Sequence, residues 1–308
     1  MAYHTRPHKD RLTVIDLLRP GQEGTHLVGE AALATRGAWG VAEWLRHAAA
    51  SLPRGTVLGR DALLGLLDTA IPSAGPRQRQ QVLEATALAA YRAQDALPVV
   101  RALLTDDAGQ FERVADEHAR CWVHDARHYK KLVPPRWEER ALLETMTRRY
   151  WAFYGELLAY RRAPPAARPP ERERLRAAFR HLFATATGYP ALDARLATTL
   201  AHERELLLAL DHPELPLHNN ASELAVRRRV RKRDVSFGPR TRAGARGWDT
   251  FHTLAATAQK LGVDIFHYLR DRVSGAHRLP SLASLITERA RTASLGDSWA
   301  GAGCPGVS

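Results

Sequence analysis

The residues able to do chemistry are concentrated in four short stretches. Asp106 and Asp107 follow the apolar run Leu97–Thr105, LPVVRALLT. Carboxylates at the end of a buried strand are well placed for Mg²⁺, which takes one or two side-chain oxygens and keeps several waters. The same pair also suits a plain strand end and turn. The second stretch is Leu217–Glu223, LHNNASE. Asn220 as an N-cap with Glu223 three residues on makes a capping box. That geometry also fixes Glu223 in the first turn of a helix, able to reach a metal held by a strand-end aspartate. Two-metal phosphoryl chemistry uses such convergent carboxylates, because paired cations stabilise both the attacking and the leaving oxygen.

The third stretch, Ala225 to Arg246, holds nine Arg or Lys in 22 residues and one acid, Asp234. A solvated helix face normally mixes signs. Arg227, Arg228, Arg229, Arg231, Lys232, Arg233 and Arg240 are therefore candidate contacts to a phosphate backbone, with a plain basic surface as the alternative. The fourth stretch is Cys121–Lys131, CWVHDARHYKK. Cys121, His124 and His128 have a spacing that suits a metal on a helix, but the nearest further cysteine, Cys304, lies in the C-terminal tail. Cys121 and Trp122 are expected to pack, with His124, Arg127 and His128 facing nucleic acid or the metal site.

Composition narrows the partners. The 45 Lys and Arg outnumber the 33 Asp and Glu, and only five of these cations are Lys. Guanidinium favours bidentate contact with phosphate, although Arg-rich and Ala-rich composition also accompanies GC-rich coding. No apolar run approaches the roughly 20 residues of a membrane helix. The N-terminus lacks an apolar signal core, and two cysteines make no disulfide framework. The expectation is a basic, cytoplasmic globular protein with a polyanion as partner.

Several elements must position these residues. Leu12–Leu18 reads as a short strand or helix edge stopped at Pro20-Gly21. Residues 30–95 read as helical throughout, with helices over Ala38–Leu52 and Arg77–Arg92. Leu97–Thr105 fits a buried strand, a short helix being the alternative. Arg136–Tyr160 reads as a long amphipathic helix whose aromatic stripe is core. Arg161–Pro170, with four prolines, reads as a linker, and helices resume from Glu171 to about Leu210. Trp248–Leu261 and Val263–Val273 read as helices parted at Gly262. The tail from Gly275 is expected to be loose, and Gly301–Ser308 disordered.

Together these stretches form a familiar order. PLHNNASELAVRRRVRKRDVSFGP followed by WDTFHTLAATAQKLGVDIFHYLRDRV resembles the C-terminal part of the catalytic domain of insertion sequence 66 family transposases, and ALLTDDAGQF with CWVHDARHYKKL resembles the family's central block. The resemblance spans most of residues 97–275. It implies an α/β, RNase H-like core with a DDE metal site, Mg²⁺ or Mn²⁺ as cofactor, and DNA cleavage and strand transfer as the reaction. It matches the second aspartate to Asp106, with Asp107 as the fallback, and the glutamate to Glu223, so these two are the expected catalytic and metal-binding residues. The implied roles of the cations are to hold backbone phosphates, with His124 and Arg127 orienting the scissile one. The family's first aspartate has no counterpart at the strand position, Asp10 and Asp16 belonging to the following segment. The chain is thus expected to be the C-terminal portion of a transposase, inactive alone. Its expected parts are a core remnant over 1–29, a helical insertion over 30–96, the remaining core over 97–275 and a flexible tail over 276–308. Expected partners are element-end and target DNA, other element-encoded proteins, and further copies of itself when active. The alternatives are a non-catalytic DNA-binding remnant or inhibitor of transposition, and a nuclease relative that cuts without joining.

Overall fold

The computed structural model describes residues 3, 5, 9–33, 49–96 and 99–292. They divide into two compact units, one drawn from Arg6–Leu103 and Ala108–Glu117, the other from Met1–Thr5, Leu104–Asp107 and His118–Ser308.

In the first unit, helix α1 (Arg11–Leu18) starts where the Asp10 side chain accepts from the Thr13 amide. Helical spacing of Leu12 and Ile15, both buried, makes this segment a helix and not a strand. Strand β1 (Thr25–Val28) pairs antiparallel with β2 (Thr56–Gly59), Val28 opposite Thr56. Helices α2 (Arg60–Ala70) and α3 (Pro76–Ala93) follow. Val82, Leu88 and Tyr91 of α3 close a core with Ile15, Val28, Leu63 and Leu67. Residues 30–95 are therefore not helical throughout. Gly55, at φ +70, supplies the left-handed turn into β2. A four-residue strand among alanines is too short to show a period of two. The helix expected over Ala38–Leu52 lies largely outside the described residues, whereas that over Arg77–Arg92 is α3.

The second unit is built on helices. Two strands begin in the first unit and end in this one: β3 (Ala102–Thr105) and β4 (Glu117–Arg120) pair with each other. The Glu117 amide donates to Arg101 O and the Cys121 amide to Thr105 O, both at 2.9 Å. The constant register offset makes the strands parallel. The expected strand thus exists but is confined to its last four residues, Leu97 and Pro98 lying outside the described residues. After β4 come α4 (Trp122–Lys130), α5 (Trp137–Arg162), α6 (Arg168–Phe183), α7 (Pro190–Ala201) and the single turn α8 (Glu203–Leu206). Their core surrounds Trp122, which is fully buried against Tyr150, Phe153, Phe179 and Phe183. The aromatic stripe of α5 is core, as its spacing predicts. Only part of Arg161–Pro170 is linker: Pro165–Ala167 is a 3₁₀ turn, and Pro169 and Pro170 lie in the first turn of α6, where a missing N–H costs nothing.

Helices α9 (Asn220–Ser236), α10 (Arg242–Leu261), α11 (Ile265–Val273) and α12 (Leu282–Thr292) complete the unit. Ala258, Tyr268 and Leu282 form a small core among the last three. The tail from Gly275 thus includes a helix, while Gly301–Ser308 and Cys304 lie outside the described residues. The described fold is predominantly helical with two small sheets. Among the described residues, no helix is long and apolar enough to cross a membrane.

Candidate functional site

Helix α4 organises the site through its two faces. Trp122, Ala126 and Tyr129 point into the core, while His124 and His128, one turn apart, point away from it. The chain enters α4 from β4 and is fixed there by the Trp122 amide, which donates to Leu217 O at 3.0 Å, and by the Trp122 indole, which donates to Leu206 O at 2.8 Å. These two bonds bring the segment before α9 against the start of α4.

Glu223 is the result. Arg127 Nη2 donates to Glu223 Oε2 at 2.9 Å, and Arg127 Nη1 donates to His124 Nε2 at 2.8 Å. Arginine can only donate, so in the contact with Arg127 the His124 ring nitrogen accepts. It also lies 3.0 Å from Glu223 Oε1. That oxygen, like His124 Nδ1, is buried without a hydrogen-bond partner. Glu223 makes no capping box. The N-cap is Asn219 and not Asn220, and no side chain caps the helix. The reason is geometric, since the carboxylate is drawn across to α4 and not back along its own helix.

One turn further along α4, His128 Nε2 lies 2.8 Å from Asp107 Oδ2. Burial pushes the Asp107 carboxyl up, but the hydrogen bond and charge of His128, its own backbone amide and Arg120 together hold it below the usual carboxylate value. Asp106 follows β3 directly and is half-buried. The structure thus sets Asp107 and Glu223 against successive turns of one helix. A cavity of about 60 Å³ lies between β4, α4 and α7; Asp107 and Arg120 stand on one side, Arg195, Thr198 and His202 on the other. Cys121, also in its wall, is a buried free thiol whose pKa is raised by desolvation, a setting for packing.

The far wall was not legible as a site, although Arg195, Thr198 and His202 recur at helical spacing. Arg195 is anchored by Asp125, a buried carboxylate that also accepts from Tyr150 Oη at 3.1 Å and from Thr199 Oγ1 at 3.1 Å.

The basic block is α9 and the loop behind it. Arg227, Arg228, Arg231, Lys232, Arg233 and Arg240 are all exposed. Glu223, Arg227 and Arg231 recur every four residues and so share one helix face, spanning roughly 12 Å, or between three and four nucleotides of one strand. Arg229 differs from its neighbours. Its guanidinium is committed to Asp249 and Thr5 and lies over the Tyr3 ring, with its centre 5.4 Å from the ring centroid, so it ties α9 to α10.

Comparison with known proteins adds a family. Residues 79–247 match the family model described as Transposase IS66 family. A curated relative from Sinorhizobium fredii (strain NBRC 101917 / NGR234), described as uncharacterized protein y4jO, is 38% identical over 189 residues. That alignment covers 61% of this chain and 57% of the relative, so the chain spans little more than half of that protein's length. No solved structure matches.

Proposed function

The chain belongs to the IS66 family of transposases, and from that premise we propose that it cuts and joins DNA for a bacterial insertion sequence, on an RNase H-like frame. Glu223 and Asp106, or Asp107 beside it, are the reacting carboxylates. The observation that carries this reading is the setting of Glu223. One oxygen is held by Arg127, the other is buried without a donor, and the same helix face continues into Arg227 and Arg231.

The donor set fits Mg²⁺ or Mn²⁺. It offers hard carboxylate oxygens on separate elements, one of them lacking a hydrogen bond. Among the described residues, no group of three or more His, Cys, Asp and Glu could hold an ion. Asp106 or Asp107 with Glu223 would therefore leave other positions to water and DNA phosphate, as Mg²⁺ commonly requires. Bound there, the ion would supply charge to the phosphoryl oxygens and acidify a water. The protein's own part is positional. Arg127 fixes the rotamer of Glu223 and holds the His124 ring in place, and Arg227, Arg228, Arg231, Lys232, Arg233 and Arg240 bind backbone phosphates leading to the carboxylates. A strand cut at an element end would leave a 3′-hydroxyl positioned to attack target DNA.

The test is nicking of a plasmid carrying the element, in Mg²⁺ or Mn²⁺. Glu223→Gln is expected to bind DNA within twofold of the parent chain and to nick none of it. Nicking at the parent rate would sink the assignment. Binding by the parent chain without nicking would favour the DNA-binding remnant or inhibitor, and nicking without joining a hydrolytic relative.

A further inference from the structure

We infer that Phe237 is a base-stacking residue, taking the face of an unpaired DNA base while the cations on either side hold the backbone. The inference rests on the proposed action on DNA.

Phe237 closes α9 in the left-handed region, at φ 59 and ψ 7, and is 83% exposed. Gly238, next in the chain, is also left-handed at φ +65, and a Cβ there would come 2.9 Å from Arg233 Cγ. A side chain at 238 would therefore be strained and would displace that of Arg233. Position 237 is the C-cap, where the left-handed conformation suits Gly or Asn and burdens a bulky residue. The ring recovers nothing by burial, because it stands in solvent. A large aromatic that is strained and also unpacked signals a partner outside the chain.

Its surroundings identify that partner's chemistry. Arg231, Lys232 and Arg233 precede the ring, Arg240 and Arg242 follow it, and all are exposed. Five exposed cations within six residues of the ring along the chain, against the single acid Asp234, match a polyanion. Cations along a backbone with an aromatic face between them are how single-stranded nucleic acid is held, and stacking of this kind tolerates any base. A fully paired duplex presents no free base face. The ligand is therefore an unpaired or extruded base, at a frayed end or within a distorted duplex.

The experiment compares the full chain with Phe237→Ala, Phe237→Trp and Phe237→Gly. Each is titrated into a single-stranded oligonucleotide carrying 2-aminopurine and into a fully paired duplex of the same sequence. Quenching of 2-aminopurine reports stacking. The Ala and Gly variants are expected to lose about 5- to 150-fold in single-strand affinity together with the quenching, and to keep duplex affinity within twofold. Trp is expected to restore both. Gly, freed of the left-handed strain, should melt no lower than the parent, which separates lost stacking from lost folding. Single-strand affinity and quenching unchanged in Ala and Gly would overturn the inference alone. Failure of the parent chain to bind either DNA would overturn both it and the proposed function.

Discussion

An arginine that can only donate dictates the hydrogen-bond polarity of its neighbours, and Arg127 does so for both His124 and Glu223. Because Arg127 is itself 44% exposed, its ion pair contributes little to folding, about 1 kcal/mol or less. Arg127→Met should therefore leave the melting temperature almost unchanged while lowering nicking at least tenfold. A matched loss of stability and rate would instead make Arg127 a structural residue. His26 presents the opposite case. It is buried, with Nδ1 3.0 Å from Thr86 Oγ1, and that hydroxyl already donates to the Val82 and Leu83 carbonyls, so His26 is the donor. Burial first, and then the charge of Arg19, lower its pKa from 6.5 to about 4. The unfolded chain thus binds a proton between those values that the folded chain refuses. Stability is full above about pH 6.5 and falls as pH drops toward 4, by about 3 kcal/mol in all. His26→Phe should flatten that decline, which urea midpoints at pH 7.5 and pH 5 would measure.

Among the elements, α4 bears the most consequence, since its inner face builds the core and its outer face carries the proposed site. Asp125 joins it to α7 through Arg195, and to α5 through Tyr150. Asp125→Asn removes the charge that a largely buried guanidinium depends on, and should cost about 3–5 kcal/mol. Tyr150→Phe loses hydrogen bonds to Trp122 O and Asp125 Oδ2 and should cost only about 1–2 kcal/mol. Chemical denaturation of both variants checks the order; equal losses would mean that the charge pair adds nothing beyond the hydroxyl. This network also shows what sequence can and cannot reveal. The long helices were legible because periodic apolar residues declare a face over many turns, as in α3 and α5. The four-residue strands β1 and β2 were not, because so short a run has no visible period and is settled by pairing. Glu223 stood out in the sequence because an acid precedes a run of cations. Arg195, Thr198 and His202 did not, because their relevance depends on which face of α7 meets α4. Asp107, ranked behind Asp106, is the aspartate that His128 engages, a distinction the dipeptide alone cannot carry.

At the scale of the whole chain, two properties follow from the sum and not from any one element. Each unit has its own core, one around Leu63, Leu88 and Tyr91 and the other around Trp122, and chains of this kind commonly depart from a single unfolding transition. Asp125→Asn should therefore lower one calorimetric transition, and acidification through the His26 window the other. The second property is charge. The chain carries a formal +12, but salt dependence counts only cations that meet phosphate. If Arg227, Arg228, Arg231, Lys232, Arg233 and Arg240 each displace a counterion, the logarithm of duplex affinity should fall against the logarithm of salt with a slope of about −5. Replacing any one of them with Ala should reduce that slope by about 1. Arg229→Ala should leave the slope alone and lower the melting temperature, because its charge is spent on Asp249 and Thr5. Fluorescence anisotropy at several salt concentrations separates the two classes of arginine. A slope near −1 for the parent chain, or one that moves with Arg229 and not with Arg231, would remove α9 as the DNA-binding face.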